Sequence, residues 1–153
     1  MPGAPAATIM LSRLIMELGH QLSSLMEHQI RPYGLGEAEF RVLTALFAQP
    51  EGVAYPSELC ERTGQSPANM SRIGDVLVSH NLITRVLSAT DRRRMVLRMT
   101  DEGEALVRRL LPLMFDSLKV LFEDICEADQ LALIQHLKRV GARLGGRPAD
   151  PIP

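Results

Sequence analysis

Pro56 to Met99 reads P-S-E-L-C-E-R-T-G-Q-S-P-A-N-M-S-R-I-G-D-V-L-V-S-H-N-L-I-T-R-V-L-S-A-T-D-R-R-R-M-V-L-R-M, and the punctuation inside it decides the fold. Pro56 suits the first position of a helix, where its missing N–H would have no partner anyway. The helix it opens runs to about Arg62, and Gly64 is placed to leave it in the left-handed conformation. Ser66-Pro67 repeats the start, with Ser66 as N-cap and Pro67 as first helical residue. Met70, Ile73, Gly74 and Leu77 then follow the i, i+3, i+4, i+7 pattern, one face of a helix reaching about Ser79. There the period changes. Leu82–Leu87 and Met95–Met99 are β-branched and apolar, carry no helix signal, and flank Ser88 to Arg94, which reads as two antiparallel strands around an exposed loop. A short helix, a glycine turn, a second helix and a basic hairpin make a winged helix-turn-helix.

Outward from this segment the chain is helical. Toward the N-terminus, Met10, Leu11, Leu14, Leu18, Leu22 and Leu25 mark a helix from Thr8 to about Gln29. It stops near Arg31-Pro32, because the residue before proline is pushed out of the helical region. Gly34-Leu35-Gly36 is a turn. Glu37 to Ala48 forms the next helix, with Phe40, Leu43, Leu46 and Phe47 inward and Glu37 and Glu39 in the first turn, where carboxylates complement the dipole. Beyond the hairpin, Thr100 is an N-cap followed by acids, and a long helix reaches about Ile125, with Pro112 expected to bend it. A last helix spans about Asp129 to Leu144. The expected class is mainly α with a small β-wing (α+β). Residues 1–34 form an N-terminal helical lobe, 35–100 the winged helix-turn-helix and 101–145 the C-terminal helices. Residues 146–153 are expected to be a disordered tail, with residues 1–7 frayed.

Composition narrows the function. Hydrophobic residues make up 46% of 153, enough for a packed core and too many for a disordered chain. Aromatics are only 4% with no Trp, which gives little support for a carbohydrate site or a base-stacking RNA platform. Cys60 and Cys126 are too few for a disulfide framework. No apolar run approaches the roughly 20 residues of a membrane span, and Met1 to Thr8 is not a secretory signal. A cytoplasmic protein without cofactor or metal is expected. His20, His28, His80 and His136 lack metal-ligand spacing. Phosphate-loop, zinc-protease and nucleophile-elbow motifs are missing, so an enzyme is not expected.

The net charge is −1, but its distribution is uneven. Five arginines (85, 92, 93, 94, 98) face one acid, Asp91, between Arg85 and Arg98. Such a concentrated basic stretch can make a phosphate footprint; taken alone it could equally be a solvated loop. The helix from Ser66 supplies a second feature. Its outer face carries Ala68, Asn69, Ser71, Arg72 and Asp75, small and polar as a major groove requires. Arg72 can bond guanine O6 and N7, and Asn69 can do the same at adenine. Ser66, Ser71 and the free N–H groups after Pro67 can hold phosphate. Arg92, Arg93 and Arg94 at the hairpin tip suit a narrow minor groove or phosphate forks. Asp91 is expected to brace one of those guanidinium groups. An ordinary solvent-exposed face is the alternative for the helix, a solvated charged loop the alternative for the arginines, and a winged helix that binds protein the alternative for both. Together they point to double-stranded DNA.

These residues resemble the MarR family of multiple-antibiotic-resistance regulators. Asp91 to Gly103, D-R-R-R-M-V-L-R-M-T-D-E-G, is similar to the family's wing signature, and Asn81-Leu82-Ile83 to the approach to it. Within the family, P-S-E-L (56–59), N-M-S-R-I-G-D-V-L (69–77) and Leu111-Pro112 look most like the EmrR branch of multidrug-efflux repressors. The resemblance covers about Leu11 to Leu144. It implies a homodimer built from the first and last two helices, on a pseudo-palindromic operator with half-sites about one turn apart. Met10, Leu14, Leu18, Leu133, Ile134, Leu137, Val140 and Leu144 fit such an interface, or the core of a single chain. It also implies a repressor released by small phenolic, aromatic or lipophilic effectors, controlling efflux or stress genes. Leu14, Leu18, His20, Phe40, Leu43 and Met114 are candidate effector contacts. The family's redox branch uses a cysteine in the first helix, which this chain lacks, and Cys60 and Cys126 are assigned to packing.

Overall fold

The computed structural model describes residues 5–145, so the expected tail lies outside the described residues. Helix α1 spans Ala6–Ile30 and passes into a 3-10 turn at Arg31–Tyr33, where Pro32 ends the regular helix. It starts two residues earlier than expected, so Ala6 and Ala7 are helical rather than frayed. Gly34 leaves the turn at φ 71°, a left-handed conformation that glycine adopts without strain. Helix α2 is Glu37–Phe47, α3 is Pro56–Thr63 and α4 is Pro67–Ser79. The long helix α5, Asp101–Phe122, runs through Pro112, and α6 is Glu127–Arg143.

Three strands, not two, make the sheet. Strand β1 is Val53–Ala54, β2 is Ile83–Leu87 and β3 is Met95–Met99. Their order is β1-β3-β2, all antiparallel, with Val86 opposite Val96 and Ala54 opposite Leu97. Two residues carry no alternation, which is why β1 escapes a reading by period.

The core lies where α2, α3 and α4 meet the sheet and the first half of α5. Leu43, Leu46, Leu59, Ile73, Leu77, Ile83, Val107 and Leu110 are fully buried there, and Ile30 closes it from α1. Ser23 on α1 donates its hydroxyl to Glu37 on α2 at 2.5 Å. That bond, opposed by partial desolvation and aided by Arg41, holds the Glu37 carboxyl below its ordinary range. The stabilisation is present above the ordinary carboxylate value and is lost as pH falls through the lowered one.

The joint between wing and long helix is tighter. Thr100 accepts the N–H of Gly103 at its hydroxyl (3.0 Å) and donates that hydroxyl to the carbonyl of Asn81 (2.7 Å). The Thr100 N–H reaches the carbonyl of Leu82 at 3.1 Å. A Cβ on Gly103 would stand 2.1 Å from that same carbonyl oxygen. Backbone on both sides leaves nothing flexible to yield.

The apolar stripes of α1 and α6 are not core of a single chain. Helix α6 buries no residue, and Leu14, Leu18, Leu133, Ile134 and Leu137 are each more than two-fifths exposed. Leu113, Phe115, Val120 and Leu121 on the second half of α5 are equally open.

Gly103→Ala should cost about 3 kcal/mol, the upper end for overpacking. Gly64→Ala, at φ 70° with open space around its Cβ, should cost about 1–2 kcal/mol from the backbone alone. Urea denaturation of the two variants reads the difference; equal losses would remove the Leu82 contact as the cause.

Candidate nucleic-acid interface

Helix α4 begins as its sequence requires. Ser66 accepts the N–H of Asn69 at its hydroxyl (3.2 Å), and Pro67 occupies the first helical position. Met70, Ile73, Gly74 and Leu77 are buried, so the opposite face is turned outward by default. Ser66, Pro67, Ala68, Ser71, Arg72 and Asp75 are exposed and Asn69 is half-buried. The α3–α4 turn is set by Gly64 at φ 70° and by Thr63, whose buried hydroxyl donates to the Leu59 carbonyl at 2.6 Å.

Polar side chains on this face are already tied to one another. The Asn69 amide donates to Gln65 Oε1 at 2.5 Å and accepts Arg72 Nε at 3.1 Å. Arg72 also pairs with Glu39 of α2 at 3.3 Å. Arg85, counted with the basic stretch, turns inward instead: it pairs with Asp75 at 2.6 Å and donates to the Ser71 carbonyl at 3.3 Å. It therefore fastens β2 to α4. A Cβ on Gly74 would come within 2.9 Å of that guanidinium, so glycine leaves room for the clamp.

The hairpin loop is built around Ser88, which is 5% exposed. Its hydroxyl oxygen accepts the N–H groups of Thr90 and Asp91, both at 3.3 Å, and shares a 2.8 Å bond with the Tyr55 hydroxyl. Tyr55 directly precedes α3, and its own N–H is capped by Glu58 at 2.9 Å. The bonds from Ser88 and then Thr90 hold the Tyr55 phenol below its ordinary value, with a smaller pull from Arg94. The Arg94 guanidinium lies 3.9 Å from the centre of the Tyr55 ring, a cation–π contact.

Two expectations change here. Asp91 does not brace a guanidinium: its carboxylate accepts the backbone N–H of Arg93 at 3.0 Å and closes the turn. A short carboxylate can reach the peptide two residues on and shape the loop locally. Arg94 is not a free tip residue, because the ring of Tyr55 holds it. Arg92 and Arg93 remain exposed, and the ion pairs Arg41–Glu37, Arg72–Glu39, Arg85–Asp75 and Arg108–Glu104 do not involve them.

The candidate effector residues divide. Phe40, Leu43 and Met114 sit in the core, while Leu14, Leu18 and His20 lie on the exposed length of α1. Cys126 is exposed at the N-cap of α6 rather than packed, its thiol 3.3 Å from Asp129. Cys60 is half-buried on the wall of a cleft of about 520 Å³ between α3, α4 and the wing strands. Among the described residues no cluster of His, Cys, Asp or Glu could hold a metal, and no helix is long and apolar enough to cross a membrane.

Sequence reasoning missed Tyr55, Gln65, Ser88 and the reach of the buried Glu39 side chain to Arg72. Glu58, three residues after Tyr55, could have marked the start of α3, because a glutamate at the third helical position can cap the N–H just before the helix. Nothing local joins Tyr55 to a serine 33 positions on.

Comparison with known proteins places this geometry. Residues 33–94, from the turn after α1 to the hairpin tip, match the model of the MarR family. The transcriptional repressor MprA of Escherichia coli K12 is 29% identical over 97% of this chain and 84% of its own length. Sco3205 of Streptomyces coelicolor, a MarR family regulator solved in complex with DNA, superposes with a TM-score of 0.82 at 20% identity, covering 99% of this chain and 95% of that one. CouR of Rhodococcus jostii RHA1, solved with p-coumaroyl-CoA, gives 0.77 at 21%, covering 90% and 95%.

Ser88→Ala should leave the fold intact and speed amide exchange at Thr90 and Asp91 about tenfold, the loss of roughly one hydrogen bond. Exchange measured by NMR checks this; unchanged rates at both amides would show that Ser88 does not hold the loop.

Proposed function

The chain belongs to the MarR family of winged-helix transcriptional regulators, and from that premise we propose how it meets DNA and what releases it. It is a DNA-binding regulator and not an enzyme. In this reading α4 enters the major groove. Ser66, Pro67, Ala68 and the first-turn N–H groups meet phosphate, and Asn69, Ser71 and Arg72 face base edges. Arg92 and Arg93 grip the flanking backbone or minor groove, while Asp91 and Arg94 shape and anchor the loop that presents them. The observation that carries this is the arrangement of α4 and an arginine-tipped wing on one frame, joined by Arg85 to Asp75 and by Tyr55 to Ser88.

Two copies form the working unit in this proposal. Residues 6–30 and 101–145 make the dimerisation lobe, and residues 35–100 read DNA. The support is the continuous apolar exposure of α1, the second half of α5 and α6. A two-fold dimer presents two α4 helices to half-sites about one turn apart, so the operator is a pseudo-palindrome. The protein acts as a cytoplasmic repressor. Likeness to MprA, a named repressor, favours that sign of control, and the resemblance of residues 56–59 and 69–77 to the EmrR branch extends the proposal to efflux or stress genes.

A phenolic or lipophilic effector between the lobes would release it. CouR, crystallised with a coumaroyl thioester, is the neighbour that supports this class. Leu14, Leu18 and His20 of α1 would face the effector, with Phe40, Leu43 and Met114 behind. Gln29, where α1 meets α5, donates to Ser117 at 2.8 Å and has its Oε1 buried without a partner among the described residues. That oxygen could accept a phenolic hydroxyl.

Arg93→Ala should weaken operator binding about tenfold or more and lower the salt slope by about two, one for each copy of the chain, with the dimer intact by sedimentation. Gel-shift titrations across salt on the footprinted upstream region measure both; an unchanged slope removes the wing from the interface. Leu137→Glu should give monomers and abolish operator binding, and a Leu137→Glu dimer of full affinity would move the interface elsewhere.

A further inference from the structure

Glu39 stands in the first turn of α2, away from the groove-facing surface, yet it reaches the helix that would read DNA. Its side chain is 10% exposed. One carboxylate oxygen accepts the N–H of Gly36 at 3.2 Å and closes the start of α2. The other faces Arg72 of α4 at 3.3 Å. Arg72 is held a second time, through Nε, by Asn69, and Asn69 by Gln65. Its side chain nonetheless stays 60% exposed. A long flexible cation is thus fixed along one edge with the rest of its fork directed outward.

We propose that Glu39 is a positioning residue for base recognition: it sets the guanidinium of Arg72 in the orientation that reads guanine and restrains it from indiscriminate phosphate contact. The proposal rests on the reading of α4 given above. Orienting an arginine before DNA arrives removes the rotamer cost of binding, which helps only the site whose geometry matches the fixed fork. A negative charge behind the guanidinium also lowers its pull on any phosphate, which all sequences share. Both effects raise the ratio of specific to non-specific affinity, and neither needs Glu39 to touch DNA. Glutamine at this position offers one acceptor oxygen for two tasks, capping Gly36 and holding Arg72, and brings no charge.

Selection of bound duplexes from a random-sequence pool, followed by sequencing, tests this on the full-length protein. Arg72→Ala should erase the preference at one position of each half-site. Glu39→Gln should reduce the preference at that same position about fivefold or more, while affinity for sheared mixed-sequence duplex stays equal or rises. Adding Glu39→Gln to Arg72→Ala should change nothing further. Glu39→Asp keeps the charge but withdraws it by one methylene, and should flatten the same position if Glu39→Gln proves too unstable to assay. A purely structural role for Glu39 would lower both affinities by one factor and leave the motif intact, and that result overturns the proposal. A motif flattened by Arg72→Ala but untouched by both Glu39 variants also overturns it. A motif untouched even by Arg72→Ala overturns the reading of α4 together with it.

Discussion

The rest of the molecule depends on the missing side chain at Gly103. The first turn of α5 sits on the Leu82 carbonyl at a spacing no Cβ would allow. Thr100 locks the approach from both sides, capping α5 and bonding back to Asn81. Asn81 itself sits at φ 56°, a left-handed position that asparagine tolerates better than most residues. The end of α4, the start of β2 and the start of α5 are therefore one rigid corner. Through it the reading lobe is fixed to the long helix whose far half carries the exposed apolar face. Any change in how α5 sits must carry α4 and the wing with it.

Electrostatics follow the same economy. Of the five arginines between 85 and 98, two are spent inside the lobe: Arg85 on Asp75 and Arg94 on the Tyr55 ring. Exposed pairs of this kind add little stability, up to about 1 kcal/mol. Their value is geometric, since each ties a wing strand or loop to the helix-turn-helix. Arg92 and Arg93 stay exposed, which leaves their charge free for the DNA contact proposed for them. The net charge of −1 conceals this because all but one of the acids lie outside that stretch, half of them after Met99.

Most of the fold was legible because local chemistry encodes it. Proline and serine starts placed α3 and α4, and the change of period placed β3 to the residue and β2 to within one, its first residue being Ile83 rather than Leu82. Boundaries slipped where no cap announced them: α6 begins at Glu127 behind Cys126, which makes no side-chain bond to the helix backbone. Strand β1 was invisible because two residues have no period. The recognition face could be read from burial of its opposite side alone. The loop could not, because Tyr55, Ser88 and Arg94 meet only through the fold, and a sequence places charges without saying which of them are already held. The same blindness made Asp91 look like a partner for arginine when it serves the backbone.

Helix α6 raises the question of what keeps it folded. It buries no residue of its own chain, and helices in proteins draw most of their stability from packing an amphipathic face rather than from propensity. Its Leu133, Ile134, Leu137 and Val140 form a stripe at helical spacing, and α1 and late α5 offer matching stripes. Apolar area of that extent gains most by meeting its like, which the proposed two-fold partner would supply without a second gene. If the partner also sets the distance between the two reading helices, stability and spacing become one equilibrium. An effector then needs no contact with DNA. It needs only to favour one packing of those helices over another, by about 1.4 kcal/mol for each tenfold loss of operator affinity.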